Sequence, residues 1–193
     1  MANHGGAYFT SADCLETGYA MPLAGKVVVI RTGVLPDGHP SQLFLCTGGV
    51  GATANPSGHS VSAVSLSTGE YFRWFRGDVL GTLKPELLPD EARLSLSQIR
   101  PDGARDAKDP EYSGYCYLED GRYSAGVWLQ DAKEAVEFLK MQAPYQHRIL
   151  ICDREDFAVM EMVQGELVHP SQEEMEALRQ GATECERGGM TMT

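Results

Sequence analysis

The sequence predicts an α+β protein, with a mostly antiparallel β-rich unit first and a ββαββα unit second, its helices on one sheet face. Three observations predict it. Short β-branched and aromatic runs, broken by glycine-containing turns, fill residues 21–100. An Asp-Gly turn at 120–121 sits between two strand-like runs, a hairpin signal. Two later segments open on capping boxes, Asp131 with Glu134 before an apolar stripe of Ala132, Ala135, Val136 and Leu139, and Ser171 with Glu174 before a stop at Gly181.

The elements follow in order. Residues 1–20 are small and polar and read as a flexible arm. Residues 26–32 (KVVVIRT) and 42–47 (QLFLCT) are strands, joined by a turn with Asp-Gly and two prolines at 35–40. A glycine-rich loop spans 48–58. Residues 59–67 alternate polar and apolar, the period of a half-buried strand. Residues 70–76 (EYFRWFR) form an aromatic strand, with Phe72 and Trp74 on one face and Tyr71, Arg73 and Phe75 on the other. Residues 79–83 extend the sheet, and Pro89, Asp90 and Glu91 open a helix. The charged stretch 101–111 reads as a linker from the β-rich domain, 21–100, to an acidic α+β domain, 112–181. In that second domain, strands at 112–118 and 123–129, a helix at 131–141, strands at 148–152, 157–163 and 166–169, and a helix at 171–180 give ββαββα with a short extra strand. Residues 182–193 read as a frayed tail.

The 193 residues carry a net charge of −11. Bulk attraction to nucleic-acid phosphates or to an anionic membrane surface is therefore not expected. The acidity is uneven. Residues 1–80 hold Lys26, Arg31, Arg73 and Arg76 against Asp13, Glu16, Asp37, Glu70 and Asp78, so they are nearly neutral. The excess belongs to residues 81–193. No apolar run approaches the 18 residues or so of a membrane span, and the first residues lack a basic stretch followed by an apolar one. Five scattered cysteines without Cys-x-x-Cys or Cys/His spacing argue against structural zinc and for reduced thiols. A cytoplasmic chain without metal or cofactor is expected.

Gly49-Val50-Gly51-Ala52-Thr53-Ala54 fits the dinucleotide pattern, and Glu70 lies at a suitable distance. That chemistry needs a helix opening at the loop, so that backbone N–H groups meet the pyrophosphate. Asn55-Pro56-Ser57-Gly58 and a strand follow instead, so a connection between strands fits better. Cys46 and His59 bracket the loop and make a candidate nucleophile and base. A buried cysteine ending a strand explains Cys46 equally. The aromatic and arginine mixture at 70–76 could stack on single-stranded bases, although Glu70 and Asp78 offset its charge and sheet packing accounts for the alternation.

The residues Leu43-Phe44-Leu45-Cys46-Thr47-Gly48-Gly49-Val50-Gly51, then Asn55-Pro56, Gly58, Gly69-Glu70, Arg73 and Arg76-Gly77-Asp78-Val79-Leu80-Gly81 carry a resemblance. Over 26–88, about a third of the chain, the sequence resembles a family of small cargo proteins of conjugative elements from clostridia-like gut bacteria. No activity is assigned to that family, so no catalytic residue carries over. The resemblance implies cytoplasmic cargo of a mobile genetic element, a class that includes proteins disarming restriction or CRISPR nucleases.

The expectation is a non-enzymatic, acidic protein-binding inhibitor. Its partner would be a protein with a basic surface, such as the nucleic-acid-binding groove of a nuclease, and direct nucleic-acid or membrane binding is not expected. The candidate partner-binding acids are Asp109, Glu111, Glu119, Asp120, Glu155, Asp156, Glu173, Glu174 and Glu176. Two alternatives stay open: an interaction or regulatory module of conjugation machinery, and a small cysteine-dependent enzyme using Cys46 and His59.

Overall fold

The computed structural model describes residues 8–16, 21–54 and 57–169. The protein is α+β, with two antiparallel sheets. The strands are β1 (Cys14–Glu16), β2 (Val27–Ile30), β3 (Leu43–Gly48), β4 (Ser60–Ser65), β5 (Tyr71–Phe75) and β6 (Val79–Leu83). Helix α1 (Asp90–Leu96) follows, then β7 (Tyr112–Tyr117), β8 (Val127–Leu129), helix α2 (Ala132–Gln142), β9 (Arg148–Asp153), β10 (Ala158–Val163) and β11 (Glu166–His169). The chain divides into two compact units between Ala92 and Arg93.

The first unit holds a six-stranded sheet in the order β1-β6-β2-β3-β4-β5. β2 is Val-Val-Val-Ile, buried on both faces at the sheet centre, where β-branched side chains pack well. One face carries a core of Val28, Ile30, Phe44, Cys46, Val61, Ala63 and Trp74, closed by Met21, Leu23 and Ala52. The aromatic strand alternates as its sequence predicts: Trp74 is buried and Phe72 half-buried, while Tyr71, Arg73 and Phe75 are exposed. Phe72 stacks on Trp74, and Phe44 meets both edge-on. These ring geometries suit the aromatic quadrupole.

Of the expected arm, 1–20, residues 8–16 are described, and they hydrogen-bond and pair within the first unit, while 1–7 lie outside the described residues. Thr10 and Asp13 form a capping box over a short 3-10 turn. β1 then pairs with β6, Cys14 opposite Leu83. Gln42 exchanges two hydrogen bonds with the Phe9 backbone, at 2.9 and 3.1 Å. A three-residue strand has no readable period, so pairing across the sheet decides its state. Residues 17–20 lie outside the described residues.

The second unit holds a five-stranded sheet in the order β11-β10-β9-β7-β8. α2 packs on β7 and β9. Gly114 marks the contact: a Cβ there would stand 2.7 Å from the Phe138 ring. Ala135, Val136, Phe138 and Leu139 are the buried stripe of α2. Asp131 caps the helix by accepting from the Glu134 N–H at 2.8 Å. The reciprocal bond falls one residue earlier than a capping box requires, with Gln130 N–H donating to Glu134 Oε2 at 2.6 Å. The other Glu134 oxygen accepts from Arg100 Nε at 2.7 Å.

The division at Ala92 and Arg93 leaves 101–111 within the second unit. Arg100 is tied to α2, Ala107 N–H donates to the Trp128 carbonyl and Glu111 N–H to the Leu129 carbonyl. The stretch is irregular but belongs to the second unit. β8 also starts later than its sequence run, at Val127, and Gly126 just before it sits against the Tyr115 ring, where a Cβ would stand 2.5 Å away. Tyr123 keeps an isolated bridge to Tyr117. The expected helix at 171–180 and the tail at 182–193 lie outside the described residues.

Candidate functional site

The register of β7 and β9 decides where the second unit's acids fall. Tyr112 pairs with Asp153 and Tyr117 with Arg148. The lead-in to β7 therefore lies beside the β9–β10 turn. Asp109, Glu111, Glu155 and Asp156 all stand exposed at this one end of the sheet. The turn is built by Asp153, whose Oδ1 accepts the N–H groups of Glu155 and Phe157 at 3.1 and 2.9 Å. Asp156 takes φ 63, a left-handed conformation that Asp tolerates better than most side chains. Arg154 is the cation of the group. It donates to the Pro110 carbonyl at 3.0 Å and to Asp109 Oδ1 at 3.2 Å. Gln130 Nε2 donates to the Asp109 carbonyl at 3.0 Å. The acids are thus mounted on hydrogen-bonded backbone.

Glu119 and Asp120 sit elsewhere. They occupy the turn after β7, at its far end, about 20 Å away along six strand residues. The turn forms as its Asp-Gly predicts, with Gly121 at φ 83 and Leu118 N–H bonded to the Arg122 carbonyl. Asp120 accepts from the Arg122 backbone and from its guanidinium at 3.0 and 2.6 Å. Those bonds hold its carboxyl below the usual range. The structure thus brings four of the candidate acids together and puts two at the opposite end. Glu173, Glu174 and Glu176 lie outside the described residues.

Cys46 lies in β3 and is fully buried in the first unit's core. Burial pushes its thiol up to about 11, against smaller opposing effects of the Gly48 carbonyl contact and the Arg76 charge. An activated thiol needs the reverse shift. His59 is exposed ahead of β4. Its backbone carbonyl accepts from the Arg76 N–H at 2.7 Å. No hydrogen bond joins the two side chains among the described residues.

The glycine loop forms a single 3-10 turn, Val50–Ala52, rather than the start of a helix. Gly49 at φ 101 and Gly58 allow backbone to lie on backbone: a Cβ on Gly58 would stand 2.1 Å from the Val50 carbonyl oxygen. The buried Arg76 guanidinium donates to the Gly51 carbonyl at 3.2 Å and to the Met21 carbonyl at 3.1 Å. The loop therefore aims a carbonyl at a cation. A phosphate cradle would aim N–H groups at an anion. Asn55 and Pro56 lie outside the described residues.

Among the described residues, no three His, Cys, Asp or Glu side chains converge as a metal site, and no helix is long and apolar enough to cross a membrane. Sequence reasoning weighed Glu70 only as the acid of a dinucleotide pattern and did not group it with Asp37 and His39. All three meet beside the start of β5, lining a depression of about 510 Å³ with Pro36, Tyr71 and Phe72. The signal available was that both acids fall in turns flanking strands of one sheet. Comparison with protein-family models, curated proteins and solved structures returns no match for this chain.

Proposed function

We propose that this chain is a non-catalytic protein-binding inhibitor carried by a mobile genetic element. It acts in counter-defence, by occupying the basic nucleic-acid-binding surface of a host restriction or CRISPR nuclease. One observation carries the reading: Asp109, Glu111, Glu155 and Asp156 gather at one end of the five-stranded sheet. Duplex DNA presents one charge per about 1.7 Å of axis, and nuclease grooves are built for that field. Carboxylates on adjacent connections of a rigid sheet, whose strands lie about 4.8 Å apart, are a preorganised competitor for it. The resemblance over 26–88 supports the mobile-element context, and the net charge of −11 supports electrostatic steering to a basic partner.

Co-expression with a panel of restriction enzymes and Cas9-type nucleases tests this reading. Plasmid clearance should fail for at least one nuclease when the chain is present. It should return when Glu111, Glu155 and Asp156 are changed to lysine. Unchanged clearance across the panel contradicts the proposal.

A further inference from the structure

The first unit, whose charge is nearly balanced, ends in an open sheet edge at β5. β5 ends its sheet: β4 is its one neighbour among the described residues. Its backbone groups can be assigned to sides. Ser65 N–H donates to the Glu70 carbonyl at 2.9 Å, and Arg76 N–H to the His59 carbonyl at 2.7 Å. Antiparallel pairing repeats every two residues, so Phe72 and Trp74 also turn their N–H and C=O toward β4. Those of Tyr71, Arg73 and Phe75 point to the open edge.

Natural sheets blunt such edges with proline, lysine, bulges or short strands. β5 has no proline, lysine or bulge, since it pairs with β4 in unbroken register over five residues, and Arg73 is its one charged side chain. It instead displays two large aromatics, Tyr71 at 60% and Phe75 at 73% exposure. At the Tyr71 end lies the depression between residues 36–40 and 68–72. Its wall is fixed by His39, which stacks on Phe44 at 5.2 Å and bonds the Ser41 carbonyl and Ser65 hydroxyl. Asp37 and Glu70 come from turns 33 residues apart yet line the same space, with no lysine or arginine in the lining. Neither carboxylate has an ion pair or hydrogen bond among the described residues.

We infer that β5 accepts an extended basic segment of a partner protein as an added strand, with one arginine or lysine side chain seated between Asp37 and Glu70 against the Tyr71 and Phe72 rings. Main-chain bonds to Tyr71, Arg73 and Phe75 supply the affinity of strand addition, and the pocket supplies its side-chain preference. The aromatic wall suits a cation held over a ring face. A second copy of this chain is the weaker occupant, because two chains of charge −11 repel. This surface does not depend on the acidic end of the second unit, so it stands or falls separately.

The test uses the full chain and a fluorescein-labelled decapeptide of alternating threonine and arginine, with an alternating threonine and glutamate peptide as control. Anisotropy should show binding of the first and not the second. The Asp37→Asn, Glu70→Gln double variant should weaken binding by about tenfold or more, the scale of a lost charge-assisted contact. Phe75→Lys should weaken it through the edge, with an unchanged thermal melt showing that the variant folds. Replacing Glu111, Glu155 and Asp156 with lysine should leave it within about twofold, which separates this site from the acidic end. Amide exchange at Tyr71, Arg73 and Phe75 should slow when the peptide binds. Equal affinity of the double variant, equal binding of the glutamate peptide, or slow exchange at those three amides in a peptide-free dimer would each overturn the inference.

Discussion

The Arg154 guanidinium donates to the Asp109 carboxylate across 3.2 Å and to the Pro110 carbonyl at 3.0 Å. One side chain thus holds the lead-in of β7 against the turn between β9 and β10. It spaces the acids more than it neutralises them, since Glu111, Glu155 and Asp156 remain without a cation among the described residues.

Both partners of that pair are exposed, so its energetic worth is small. Arg154→Ala should cost less than about 1 kcal/mol in urea unfolding. A loss of several kcal/mol would show that the pair supports the fold rather than the surface.

Cys46 gives a pH prediction. An ordinary thiol ionises near 9.0, and the folded Cys46 near 11. The unfolded chain therefore releases this proton first. The contribution is complete below pH 9 and is lost as pH rises from 9 to 11, reaching about 2–3 kcal/mol. Stability measured across that window should fall, and Cys46→Ala should make the fall shallower. Native protein at pH 8 should leave Cys46 unalkylated by iodoacetamide. Labelling at the rate of a free thiol would contradict its burial.

Arg76 is the internal clamp of the glycine loop. Arg76→Met fills much of the space but leaves the Gly51 and Met21 carbonyls without this donor. The expected cost is about 3 kcal/mol, the scale of buried polar groups left unmet. Limited proteolysis should cut near residues 50–58 sooner in the variant. A variant as stable as the parent would remove the clamp from the account.

Asp131 is an N-cap whose side chain accepts the Glu134 N–H at 2.8 Å. Asp131→Ala should lower stability by about 1 kcal/mol, and Asp131→Asn by less, since asparagine still accepts the bond. Equal losses for both would assign the effect to charge instead.

The parts of the fold legible in the sequence are those fixed by local chemistry. The alternation of Tyr71 to Phe75 gave its inner and outer faces because a strand turns side chains with period two. Asp120-Gly121 announced its turn because glycine accepts φ 83 without strain. β1 was not legible, because three residues show no pattern and pairing with Leu83 and Thr82 decides them. The tie of Arg100 to the second unit was not legible, because its partner, Glu134, is 34 residues away. The candidate acids were legible as charges and only in part as positions. The strand at 112–118 already puts Asp109 and Glu111 at the opposite end from Glu119 and Asp120, and only the register of β7 on β9 brings Glu155 and Asp156 beside the first pair. Asp37 and Glu70 stayed hidden for the same reason: a pocket between two turns exists only once the strands are paired.

The most direct test of the central claim is competition for a nuclease inhibited in the plasmid assay. Labelled duplex DNA is bound to that nuclease, and the chain is titrated in at about 50 and 200 mM salt. The account predicts displacement of the DNA at the lower salt, weaker direct binding of the chain to the DNA-free nuclease at the higher salt, and no displacement by the chain with Glu111, Glu155 and Asp156 changed to lysine. Displacement by the lysine variant equal to that by the parent would contradict it.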